Sequence, residues 1–84
     1  MEHMKYIIIE LMGFQVPIIF SPLLSHDDFC GSFGGTTTSA GFVDIDLETG
    51  KLYCFGKSLS LGKKSRPEDE EIIRREINNY KRDR

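Results

Sequence analysis

The stretch AGFVDIDLETGKLYCF, residues 40–55, constrains the fold more than any other part of the chain. Two strand-forming runs flank Glu48, Thr49 and Gly50, which read as a three-residue hairpin loop with glycine where a left-handed backbone is required. A loop of that length fixes the register. Leu47 then stands opposite Lys51, Ile45 opposite Tyr53 and Val43 opposite Phe55 on an apolar, core-facing side. Asp46, Asp44 and Phe42 lie on the other side, opposite Leu52, Cys54 and Gly56.

The flanking segments extend this into a sheet. KYIIIEL and QVPIIF, on either side of Met12-Gly13, form a second hairpin in which Gly13 supplies a positive φ. Pro17 has no N–H to give to a ladder, so its strand belongs at an edge or leaves one side unpaired. KSLSLG alternates as a fifth short strand, with Leu59 and Leu61 inward and Ser58 and Ser60 outward. Between these, SPLLSHDDF predicts a short helix or turns near 21–30. Ser21 and Ser25 are its caps and Pro22 its first-turn residue, with Leu23, Leu24 and Phe29 facing the core and His26, Asp27 and Asp28 facing water.

A helix is written after Gly62. Ser65 with Glu68 makes a capping box, Pro67 lies in the first turn, and Glu68 to Glu71 sit at the positive end of the dipole. Arg74, Arg75, Lys81 and Arg82 favour the other end, and Glu70–Arg74 and Glu71–Arg75 are spaced to pair. Ile72, Ile73, Ile77 and Tyr80 form a narrow stripe that docks on one sheet face. The expected fold is α+β: a mostly antiparallel sheet of about five strands, from two β-hairpins plus a short strand, with one C-terminal helix packed on one face. The opposite face needs cover from the 21–30 segment or from a second copy of the chain.

Length and charge narrow the function classes. Eighty-four residues at 39% apolar content make one small domain, and a net charge of −2 gives no global field for a polyanion. Met1 to Met4, MEHM, read as a cloning-derived leader and start ahead of a single domain spanning 5–84, which leaves His3 without a function. Cys30 and Cys54 read as reduced thiols of a cytoplasmic protein. The apolar run from Tyr6 to Leu24 is interrupted by Glu10, Gly13, Gln15 and Pro17, which argues against a membrane span.

The motifs that carry chemistry elsewhere are incomplete here. GSFGGTTTSAGF, residues 31–42, is rich in glycine and threonine. It lacks the lysine and following helix of a phosphate-binding loop, and the strand before and helix after of a dinucleotide fingerprint. It reads as a connector whose later threonines begin a strand. Asp44, Asp46 and Glu48 ahead of Gly50 fit a solvated strand face better than a calcium loop, because Ile45 and Leu47 impose alternation. His26, Cys30 and Cys54 fall one ligand short of a zinc site. Cys30 or Ser39 with His26 lacks the third group that would orient a catalytic base. No catalytic residue, metal ligand or cofactor is assigned.

The one local basic cluster is Lys57, Lys63, Lys64 and Arg66, interleaved with Ser58, Ser60 and Ser65 beside the helix N-terminus. Lys57, Ser58, Ser60, Lys63, Lys64 and Arg66 are the candidate partner or anion contacts, although the adjoining Glu68 to Glu71 run opposes a polyanion.

MKYIIIE, VPIIFSPLLSHDDF, SAGFVDI, YCFGKSLSLG and SRPEDEEII, taken in order, resemble a group of small proteins of bacteriophage and prophage genomes that has no assigned activity. The likeness covers most of the chain up to the C-terminal helix, while NNYKRDR and the insert Gly34 to Thr38 depart from it. The resemblance implies a cytoplasmic protein of an infected or lysogenic bacterium. The expected function is a non-enzymatic interaction protein, homodimeric, that binds a host or phage macromolecule without a membrane. The alternative is a nucleic-acid-associated module using the basic 57–66 segment.

Overall fold

The computed structural model describes residues 3–26, 36–46, 48–59 and 61–82, with side chains described as far as Asn79. Four strands form one antiparallel sheet: β1 (Met4–Leu11), β2 (Phe14–Phe20), β3 (Thr36–Ile45) and β4 (Leu52–Phe55), in the order β2-β1-β3-β4. β5 (Lys57–Ser58) and β6 (Lys63–Lys64) make a separate two-stranded ladder, and α1 (Asp69–Arg82) follows. The α+β architecture is as the sequence predicts. The fifth strand, however, leaves the main sheet and pairs with β6, beside the part of β3 that β4 does not reach.

β1 lies at the centre because both of its faces are apolar. Tyr6 and Ile8 point towards the helix and cluster with Val43, Leu52 and Ile73. Ile7 and Ile9 point the other way and cluster with Phe20 and Ala40, against which Ile18 and Leu61 pack. All four β1 side chains are buried within the single chain, so this strand does not need a second copy for cover. Ile72 and Ile77 pack on the helix-side cluster around Ile73, as the stripe predicts, while the Tyr80 side chain lies outside the described residues.

Met12 and Gly13 both have positive φ, 53° and 83°, and join Leu11 to Phe14 by a two-residue turn whose twist matches the strands. The pair closing such a turn is hydrogen-bonded, and alternation from there places Pro17, opposite Ile8, with its nitrogen facing away from β1. The missing donor therefore falls on the free edge of the sheet, where it blocks strand addition. At the opposite edge the backbone N–H of Cys54 donates to Glu70 Oε2 at 3.1 Å, so a helix side chain occupies that edge. Glu70 thus serves the sheet and not Arg74, and the helix-surface pair formed is Arg74 with Glu71 at 3.2 Å.

The central hairpin departs from expectation by one residue. Ile45 pairs with Leu52, Asp44 with Tyr53, Val43 with Cys54 and Phe42 with Phe55. Leu52 and Cys54 thus face the helix, while Tyr53 stays 55% exposed. The cause is Asp46: its N–H donates to the Lys51 carbonyl, its carbonyl accepts from Gly50 N–H, and its Oδ1 accepts from Glu48 N–H at 3.0 Å. That arrangement makes a four-residue loop, and the extra residue moves every β4 side chain to the other face. Leu47 lies outside the described residues.

Three further expectations are corrected. Ser58 is buried and Leu59 is 82% exposed, the reverse of the predicted phase; Ser58 Oγ accepts from Leu61 N–H and turns Leu61 inward, with Ser60 outside the described residues. Residues 21–24 form a tight turn, one of the two expected alternatives, with Ser21 accepting from Leu23 and Leu24 N–H, but its side chains face the other way. Leu23 and Leu24 are exposed while His26 is buried. Asp27, Asp28, Phe29, Cys30 and the connector 31–35 lie outside the described residues. The helix cap is displaced by one residue, since Asp69 accepts from Arg66 N–H at 2.9 Å, placing Arg66 at the cap and Pro67 at the first helical position.

Gly41 is required by packing. A Cβ there would lie 2.6 Å from the Phe55 carbonyl oxygen and 3.3 Å from Ser65 Cβ, where the chain leaving β4 crosses β3.

Candidate anion-contact surface

The densest polar arrangement is buried. Asp69 is 0% exposed, and its carboxylate receives four hydrogen bonds. Tyr6 Oη (2.6 Å) and Arg66 N–H (2.9 Å) reach Oδ2, while Ser39 Oγ (2.9 Å) and Arg66 Nε (3.0 Å) reach Oδ1. Arg66 Nη2 also lies 3.0 Å from Oδ1 and donates to Gln15 Oε1 at 2.9 Å. The group joins the helix start to β1, β2 and β3. A buried carboxylate is tolerated when it is paired and its lone pairs are filled, and both conditions hold.

This arrangement does not offer an activated nucleophile. Burial, then the hydrogen bond to Asp69 and the charge of Asp69, push the Tyr6 phenol far above its ordinary range. Burial pushes the Cys54 thiol up to about 12; the Tyr6 hydrogen bond and Arg74 oppose that shift, and Asp69 and Glu70 add to it. Cys54 accordingly stays protonated at neutral pH, where a thiol is a poor nucleophile.

Of the residues considered for catalysis and metal binding, those described, His26, Ser39 and Cys54, do not come together, and Cys30 lies outside the described residues. His26 is buried edge-on to Phe20 and Phe42, and its Nε2 lies 3.0 Å from the Gly41 carbonyl oxygen. Those contacts lie on the sheet face opposite Cys54 and Ser39, so His26 is neither the surface residue expected nor a partner for either. Among the described residues no three His, Cys, Asp or Glu side chains converge as a metal would require. His3 pairs with Asp44 and stands edge-on to Phe55, 4.9 Å between ring centroids.

The basic cluster survives in reduced form. Arg66 is withdrawn from it by Asp69 and Gln15. Lys57, Lys63 and Lys64 remain, all exposed, with Lys57 directly opposite Lys64 and Lys63 opposite buried Ser58. Among the described residues none of the three forms an ion pair. Leu59 and Gly62 complete the shallow concavity that they line.

A second exposed feature went unremarked in the sequence. Leu11, Met12, Phe14 and Val16, at 37%, 90%, 72% and 37% exposure, gather at the tip of the β1–β2 hairpin. By the period of two, Leu11, Phe14 and Val16 continue the row of Ile7, Ile9 and Ile18 beyond its buried end. Strand alternation continuing through the turn was the signal available for it. Among the described residues no helix is long and apolar enough to cross a membrane. No family model, curated protein or solved structure matches this chain.

Proposed function

We propose that the chain is a small non-enzymatic interaction protein that self-associates and binds a host or phage macromolecule, with the tip of the β1–β2 hairpin as its contact. The observation that carries the reading is the exposed group Leu11, Met12, Phe14 and Val16, an apolar surface continuous with the core. Interfaces between identical subunits are richer in apolar side chains than transient contacts, which favours a second copy as the first occupant. Pro17 and Glu70 close both sheet edges, so the copies meet through side chains and not through a shared ladder. The resemblance of MKYIIIE, VPIIFSPLLSHDDF and the later stretches to phage and prophage proteins supports the choice of partner class.

Analytical ultracentrifugation tests the self-association: the protein sediments as a dimer, and Met12→Glu with Phe14→Glu sediments as a monomer with an unchanged circular dichroism spectrum. The same pair of proteins used as bait in a bacterial lysate tests the macromolecular partner. Monomeric behaviour of the unaltered protein together with identical capture by both baits would sink the reading.

A further inference from the structure

The β5–β6 hairpin carries a combination of side chains that neither the core nor the β1–β2 tip explains. Like charges placed directly opposite each other on a ladder repel, yet Lys57 faces Lys64 and Lys63 lies beside them, with no carboxylate paired to any of the three among the described residues. Next to them Leu59 is 82% exposed. Its position is held from below: Ser58 is buried, its Oγ accepts from Leu61 N–H at 3.3 Å, and Leu61 packs towards Ile7, Ile9, Phe20 and Ala40. Leu61 anchors the hairpin, and Leu59 is left at the surface among ammonium groups.

We propose that this hairpin docks peripherally on the surface of an anionic phospholipid bilayer, with Lys57, Lys63 and Lys64 on headgroup phosphates and Leu59 inserted at the acyl boundary. Lysines near an anionic leaflet each contribute to binding, and their apolar stems accommodate the boundary while the ammonium stays in water. A lipid surface gives all four side chains a role. A nucleic acid uses only three, since the described residues of the hairpin include no aromatic side chain to stack on a base and its two-residue strands are too short to fill a major groove. The inference goes beyond the interaction reading and uses a different hairpin. The β1–β2 tip has no comparable basic cluster for the same surface: Glu10 stands in its strand, and in the hollow beside Phe14 Arg75 is offset by Glu76.

Co-sedimentation of the full chain with phosphatidylglycerol-containing vesicles, and with phosphatidylcholine vesicles alone, tests it. Binding is expected to the anionic vesicles only, and is expected to weaken as NaCl rises from about 0.05 to about 0.5 M. Lys63→Ala with Lys64→Ala lowers partitioning about 25-fold, at about 5-fold per lysine. Leu59→Ser lowers it about 10-fold, the scale of burying one leucine side chain. Met12→Ser with Phe14→Ser, which removes only self-association, keeps the preference for anionic vesicles and the dependence on NaCl and on Leu59, which separates this proposal from the reading of the other tip. All five positions are exposed, and circular dichroism checks that each variant is folded. Absence of binding, equal binding to both vesicle types, or indifference to Leu59→Ser overturns the proposal. Tighter binding to a short DNA duplex or single-stranded RNA than to the anionic vesicles assigns the lysines to nucleic acid instead.

Discussion

Asp69 and the lysines of the β5–β6 hairpin hold their charges under opposite conditions. The carboxylate is excluded from water and every lone pair is met by a donor from β1, β3 or the helix cap. The ammonium groups are in water, Lys57 faces Lys64, and none of the three has a carboxylate partner among the described residues. Removing charge from the first site leaves buried donors unsatisfied, whereas removing it from the second relieves repulsion. A titratable cluster is thus read by whether its neighbours complete it. Asp69 belongs to the scaffold, and the lysines are left available for contact.

Mutation can break that contrast or sharpen it. The largest effect is expected at Asp69→Ala, which strands Tyr6, Ser39 and the Arg66 guanidinium and costs about 3–5 kcal/mol, read as a lower urea midpoint. A loss below about 0.5 kcal/mol, the surface range, would place Asp69 with the lysines. Gly41→Ala tests the same scaffold without touching charge: the Cβ 2.6 Å from the Phe55 carbonyl forces the strands apart and costs about 1–3 kcal/mol.

Alkaline pH probes the buried side through its own protons. Tyr6 and Cys54 both have folded-state pKa values raised above the unfolded ones, so the unfolded chain loses its protons first. The stability they contribute is complete below the unfolded values of 9.0 and 10.0. Above those values it falls by about 1.4 kcal/mol per pH unit for each group. Thermal melts between neutral and strongly alkaline pH should show the fall, and Cys54→Ser should remove its first step. The smallest effect runs the other way: Lys64→Glu places opposite charges across the β5–β6 ladder and stabilises by about 0.2–1 kcal/mol. Destabilisation by Lys64→Glu would mean that the ammonium has a structural partner.

What the sequence declared and what it concealed follow from the range of the interactions. Both hairpins, the edge position of Pro17 and the helix stripe around Ile73 depend on local alternation and turn chemistry, and all are present. The phase of β4 was not legible because LYCF is apolar at both phases. Loop length alone had to decide, and the Asp46 side chain decided it by bonding within the turn. Ser58 and Leu59 invert for a related reason, since a two-residue strand carries too little pattern to fix its face. The diversion of Arg66 from the basic cluster uses an acceptor three residues along, but nothing local singles out Asp69 from the neighbouring carboxylates. It depends on Asp69, whose other partners Tyr6 and Ser39 lie 63 and 30 residues away along the chain. Lys57, Lys63 and Lys64 stayed legible because exposed charge needs no distant partner.

The reach of Asp69 also orders events in time. Tyr6 and Ser39 are made 63 and 30 residues ahead of Asp69, and both remain without their acceptor until it follows. The loop that must close before the carboxylate reaches Tyr6 spans 63 residues, and its entropic cost falls before the reward of docking. A nascent chain therefore has little native structure to gain one piece at a time. The cluster of Tyr6, Ile8, Val43 and Leu52 is completed only when Ile73 docks with the helix, and a chain cut short before Asp69 is expected to leave that face of the sheet uncovered.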